Sequence, residues 1–289
     1  MIKTIDPKSI SVAELHGILL GSIAPRPIAF ASTVDLLGNV NLSPFSFFNV
    51  FSANPPILIF SPARRVRDNT TKHTLDNVHE VKEVCISIVN YEMVQQVSLA
   101  STEYEKGVNE FIKSGFTEEP SIKVKPPRVK ESPVSFECVV KEVKALGTEG
   151  GAGNLVICDV VMIHLDENIL DTNNKIDPVK IDAVARLGGD WYCRVKGDNI
   201  FNVAKPLFQK GIGIDQLPDA IRSSAILTGN QLAVLANVER LPDRLELIAA
   251  MAKSELEVLE NLGSTERHRL AQESLKESNL DKAWACLLY

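Results

Sequence analysis

Pro25-Arg-Pro-Ile-Ala-Phe-Ala-Ser-Thr33 turns through Asp35-Leu-Leu-Gly-Asn39 into Asn41-Leu-Ser-Pro-Phe-Ser-Phe-Phe-Asn49, and this stretch decides how the chain folds. Pro27–Thr33 has the β-branched and aromatic content of a strand, and Asp35–Asn39 supplies the turn residues that end it. Outward from there, Pro56–Phe60 and Val84–Val89 are short apolar runs of the kind that fill a barrel interior. Val134–Ala145 and Leu155–Leu165 flank the glycine-rich Gly147–Gly153 and predict a long hairpin. Short strands with Gly and Pro turns favour a closed β architecture, because closure removes exposed edges. Helices are predicted over Ser11–Leu20, over Lys72–Lys82 with Asn69 or Thr70 as cap, and over Ser98–Lys113.

After about Pro206 the pattern changes. Leu241, Leu245, Ile248, Ala252, Leu259 and Leu262 recur at three- to four-residue spacing before Gly263, and Ser264 is placed to cap a second amphipathic segment to about residue 277. The chain divides accordingly into residues 1–205, mainly β, and a helical extension over 206–289.

The 289 residues carry 31 basic and 37 acidic side chains, a net charge of −6. That balance argues against nucleic acid or an anionic membrane as partner. The segment Leu36–Ala63 holds no charge, but four prolines and many Asn and Ser residues exclude a lipid-facing helix. Five scattered cysteines without a CxxC pair, five histidines without ligand spacing and an N-terminus without a signal-peptide pattern predict a cytoplasmic protein with neither disulfides nor a metal site. P-loop, nucleophile-elbow and zinc-protease motifs are absent.

Six of the eleven phenylalanines fall between Phe30 and Phe60, interleaved with Asn41, Ser43, Ser46, Asn49, Ser52 and Asn54. Buried polar groups need partners, so this mixture suits a pocket for a flat aromatic ligand better than a plain core. Arg64, Arg65, Arg67, Asn69, Thr70, Thr71, Lys72 and Thr74 follow at a predicted helix start, where a phosphate would be held. Core aromatics beside a solvated cap are the alternative reading of the same residues.

The ordered set Pro25–Thr33, Asp35, Gly38, Asn41–Asn49, Ser52, Pro55-Pro56, Lys72-His-Thr74, Asn77, Pro127–Pro133 and Ala185-Arg-Leu-Gly-Gly189 with Tyr192 resembles the flavin reductase-like, FMN-binding split-barrel family. In the Lys72–Thr74 segment the family usually has Asp where this chain has His73. The resemblance spans about residues 10–205 and implies a six-stranded antiparallel split β-barrel of Greek-key type, usually a homodimer, with non-covalent FMN near the subunit interface. By position, the Asn41–Asn49 loop (Asn41, Ser43, Phe45, Ser46, Phe47 and Asn49) would wrap the flavin ring, with Ser52 beyond it. Ser32 and Thr33 would lie beside the ribityl chain. Lys72 and Thr74, with Arg64, would hold the phosphate, and His164 and Arg186 would lie near the open flavin face. NAD(P)H would be the transient electron donor, and no protein nucleophile is needed. Three uses of such a site stay open: reductase passing electrons to a small acceptor or a redox partner protein, electron carrier without nicotinamide activity, or oxygenase acting on a small organic substrate.

Overall fold

Ala29–Val34 (β1) is buried at all six positions, which means that both faces of this strand are covered. Alternation sends Ala29 and Ala31 to one core and Phe30 to another. The computed structural model describes residues 1–207 and 210–289, which form two compact units, Met1–Phe201 and Asn202–Tyr289.

In the first unit, β1 pairs with β2 (Val40–Phe45) through the predicted turn, and β3 (Phe48–Ala53) pairs with β4 (Pro56–Phe60). Next come β5 (Glu83–Ile88), a two-residue pair β6 (Glu118–Glu119) and β7 (Arg128–Val129), and the long hairpin β8 (Val134–Ala145) and β9 (Asn154–Leu165). A last pair joins β10 (Val184–Arg186) to β11 (Tyr192–Arg194). The main sheet is antiparallel throughout, in the order β2-β1-β5-β8-β9-β4-β3.

Two expectations are corrected here. The sheet has seven strands, not six, and its ladder does not close into a barrel. Asn41–Asn49, expected as a loop, is mostly strand: the bend at Ser46–Phe47 separates β2 from β3. Pro44 is tolerated within β2 because β2 is an edge strand, where a missing N–H leaves no ladder bond unmade. The two edges are joined by only two residues, yet no ladder pairs β2 with β3. The sheet nevertheless curls: Phe45 of β2 and Phe60 of β4 stack with ring centres 5.2 Å apart, in one core with Ala31, Ile86, Cys138 and Cys158.

Helix α1 (Val12–Ser22) begins with a capping box between Ser11 and Glu14. Helix α2 (His73–Glu80) is shorter than expected, and neither Asn69 nor Thr70 caps it. Lys72 is the N-cap and offers no side-chain bond, while Asn69 is a turn residue with φ of 60°. The single helix expected over Ser98–Lys113 is two, α3 (Val94–Ala100) and α4 (Glu110–Ser114). Gly107, at φ +87°, sits between them in a conformation no right-handed helix accepts. These helices bury Val97 and Phe111 against Phe30 and Leu42 on the sheet's other face.

The second unit holds α5 (Asp219–Arg222), α6 (Gly229–Ala236), α7 (Arg244–Ala249), α8 (Lys253–Glu260), α9 (Ser264–Lys276) and α10 (Leu280–Leu288). The periodic stretch 241–262 is split into α7 and α8, and Gly263 rather than Ser264 is the N-cap of α9. Leu235, Leu256, Leu259 and Trp284 form its core. Thr228 and Gln231 make a capping box at α6: Gln231 N–H donates to Thr228 Oγ1 (3.3 Å), and Thr228 N–H donates to Gln231 Oε1 (2.9 Å). Thr228→Ala is expected to cost this unit about 1 kcal/mol, read as a lower denaturant midpoint with an unchanged slope.

All five cysteines are free thiols. Among the described residues no helix is long and apolar enough to cross a membrane, and no His, Cys, Asp and Glu group could hold a metal ion.

Candidate functional site

The β1–β2 register pairs Thr33 with Asn41, Ala31 with Ser43 and Ala29 with Phe45. Directly paired residues share a face, so Thr33, Asn41, Ser43 and Phe45 point the same way. Helix α2 lies on that side. Asn77 Nδ2 donates to Thr33 Oγ1 (3.1 Å), Asn41 Nδ2 to Thr74 Oγ1 (2.9 Å) and Lys72 Nζ to Ser43 Oγ (3.0 Å). The same ammonium lies 5.1 Å from the Phe45 ring centre. Lys72 and Thr74 of one segment thus meet Asn41, Ser43 and Phe45 of another, about thirty residues earlier.

Asn41, Ser43, Lys72 and Thr74 line a narrow cleft with Arg65, Glu103, Tyr104 and Glu110, and its free volume is about 30 Å³. Burial, aided by the nearby Arg65 charge, pulls the Lys72 ammonium down to about 8, against the opposing pull of Glu110 and Glu103. Glu110 is buried, which raises its carboxyl above the usual range even though it accepts the Leu42 N–H (2.8 Å). Among the described residues no carboxylate oxygen lies within 4.0 Å of Lys72 Nζ. A half-buried cation bonded to one hydroxyl, beside a helix start without a side-chain cap, is a donor set suited to an anion.

Arg64 does not join this cleft. Its guanidinium donates to Asn69 Oδ1 (2.6 Å) and to the Asn69 carbonyl (2.8 Å), fixing the loop before α2. Arg65 is the arginine that lines the cleft, held by Glu103 (2.6 Å), Thr70 Oγ1 and the Thr71 carbonyl (both 2.7 Å). Glu103 and Glu110 arrive from the α3–α4 region and carried no local signal in the sequence; only the fold brings them here.

Ser32 points the other way from Thr33. It is buried, donates to the Pro127 carbonyl, and belongs to a polar row on the sheet's outer face with Cys85, Ser87, Ser135 and Glu137. His164 lies on that face too, with Nε2 2.6 Å from Glu137 Oε1. Glu137 also accepts the Ile122, Lys123 and Val124 amides (2.8, 2.5 and 3.3 Å). Burial opposes its charge, but the Ile122 and Lys123 amides and His164 hold its carboxyl below the usual range. Ser32 and Glu137 therefore anchor the 121–129 segment, His164 is held by Glu137, and neither Ser32 nor His164 is part of the cleft.

The remaining expected residues lie around the edge strands. Ser46 receives Arg26 Nε at 3.5 Å. Phe47 is exposed and meets the His16 ring edge-on at 6.4 Å. Asn49 is exposed and accepts the Val50 N–H (2.8 Å), and Ser52 follows a register shift in β3. Arg186 pairs through its backbone with Arg26 (2.9 Å both ways), stacks 4.6 Å from the Tyr192 ring centre and donates to the Gly189 carbonyl (2.8 Å).

Residues 20–180 match the family described as the flavin reductase like domain. An uncharacterized protein of Aquifex aeolicus (strain VF5) is 37% identical over 185 residues, covering 64% of this chain and 91% of its own. Among solved structures, nitrilotriacetate monooxygenase component B from Bacillus cereus superposes with a TM-score of 0.65 at 28% identity, over 70% of this chain and 99% of that one. A protein of Shewanella frigidimarina NCIMB 400 with a split barrel domain gives 0.59 at 27% identity, over 68% and 95%. With more than half of its length matched, and with the curled sheet of its first unit accounted for, the chain belongs to the flavin reductase-like family.

Proposed function

We propose that the chain is an FMN-dependent oxidoreductase that takes a hydride from NAD(P)H and passes electrons to a small-molecule acceptor or a redox partner. The observation that carries this reading is Lys72, a half-buried cation with Ser43, Thr74 and Asn41 around it and no carboxylate partner among the described residues. Lys72 and Thr74 would hold the FMN phosphate, with Arg65 in the place first expected for Arg64. With about 30 Å³ free, the cleft would have to widen to seat a phosphate. Backbone groups of Asn41–Asn49 would meet the polar edge of the ring, and Phe45 would help to exclude water.

Bound FMN supplies the hydride chemistry, and the protein supplies orientation and field. The reading asks for no protein nucleophile or general base, in keeping with that division of labour. Phe47, just before β3, and Val50 and Phe51 within it expose an apolar edge, which supports a homodimer through that edge. The free thiols support a reducing compartment.

The test is direct. Purified protein saturated with FMN and freed of excess ligand is expected to stay yellow, and anaerobic NADH or NADPH to bleach it. A colourless protein that takes up no FMN overturns the cofactor assignment. A yellow protein reduced only by dithionite is the electron-carrier alternative.

A further inference from the structure

A second cleft in the first unit, of about 370 Å³, lies between Tyr91, Gln95 and Ser98 on one side and Arg186, Tyr192 and Arg194 on the other. That volume lies in the range of small-molecule sites and well beyond a lone inorganic anion. Two guanidinium–aromatic stacks build its walls: Arg194 lies 3.7 Å from the Tyr91 ring centre, and Arg186 lies 4.6 Å from that of Tyr192. Arg194 is fixed by a bidentate pair with Asp182 (2.6 and 2.5 Å), which neutralises it.

Arg186 has no such partner. Beside it lies buried Arg26, whose guanidinium donates to the Leu20, Ile23 and Leu187 carbonyls and to Ser46. Among the described residues neither arginine has a carboxylate within 4.0 Å. Burial, and then the Arg186 charge, pull the Arg26 guanidinium below its ordinary range. Two adjacent like charges with no carboxylate bonded to either, and the exposed Asp190 as the acid in the lining, stand behind a cleft walled by tyrosines and call for an anion that carries a planar ring.

We infer that this cleft binds a nucleoside phosphate, the phosphate on Arg186 and the base against the Tyr91 and Tyr192 walls. Its identity as the adenosine end of a nicotinamide dinucleotide rests on the reductase reading above; binding of a nucleoside phosphate does not.

The experiment is calorimetric titration of the full chain with ADP, adenosine and inorganic phosphate, with and without saturating FMN. ADP is expected to bind saturably and more tightly than adenosine or phosphate, with an affinity that FMN leaves unchanged. Arg186→Ala is expected to weaken ADP about tenfold or more, the loss of one charge-assisted contact. Tyr91→Ala, at an exposed position, is expected to weaken it about fivefold or more through lost stacking. Asp190→Asn removes an exposed acid from the cleft lining and is expected to tighten ADP about twofold. Absence of saturable ADP binding, displacement of ADP by FMN, equal affinity for phosphate alone, or indifference to all three substitutions overturns the inference. None of these outcomes depends on whether nicotinamides bleach the flavin, so the two readings fail separately.

Discussion

Lys72→Ala is expected to strip the protein of its flavin. Charge-assisted bonds contribute about 1.5–3 kcal/mol each, so losing the ammonium weakens FMN roughly ten- to a hundredfold. Adding Thr74→Ala deepens the loss, and flavin content after gel filtration reads it directly. Both side chains lie at the start of α2, where Asn77 still ties the helix to Thr33, so the circular dichroism spectrum is expected to hold.

Lys72 also predicts a pH dependence whose sign is fixed by the direction of its shift. With its ammonium drawn down to about 8 by burial, the flavin-free protein loses this charge as pH rises through 8. FMN affinity is therefore expected to fall by up to about tenfold per pH unit above 8. Folding stability runs the opposite way. The unfolded chain holds this proton more tightly than the folded one, so the flavin-free protein gains stability from about pH 8 up to the ordinary lysine range. Bound flavin should remove that gain. Flat FMN affinity across this window would take Lys72 out of the phosphate site.

Glu137→Ala is expected to produce the largest loss of stability. Its carboxylate is fully buried and serves three backbone amides and His164 at once. Truncation leaves those donors unpaired and the 121–124 segment unanchored, at a cost of about 3–5 kcal/mol. At the size of this unit that lowers the melting temperature by roughly 10 °C. Glu137→Gln keeps an acceptor oxygen and should fall between the two. The carboxyl is held below its usual range, so its contribution is complete above the ordinary glutamate range and is lost as pH falls below it. If Glu137→Ala melted like the parent, the outer-face anchor would be the wrong account of His164.

The strands at Pro27–Thr33 and Pro56–Phe60, the long hairpin and the amphipathic helices after residue 206 were legible because each follows from local periodicity and turn residues. The pairing of Lys72 and Thr74 with Asn41 and Ser43 was legible only as a resemblance, since nothing local to either segment names its partner. Three placements were not legible, each for its own reason. A proline in Asn41–Phe45 reads as a loop until the strand is known to be an edge. Arg64 and Arg65 are equivalent on paper, and only the turn at Asn69 decides which one faces the cleft. Nothing local to His164 names its partner Glu137, 27 residues away, which the fold sets against it. Glu110, buried beside Lys72, could not be found locally at all, because its bond to the Leu42 amide spans 68 residues.

Ser32 and Thr33 are chain neighbours, yet one fastens the outer segment through Pro127 while the other touches α2 through Asn77. A substitution at 32 is therefore expected to loosen the 121–129 segment, and one at 33 the seating of α2, so two chain neighbours report on opposite sides of one sheet.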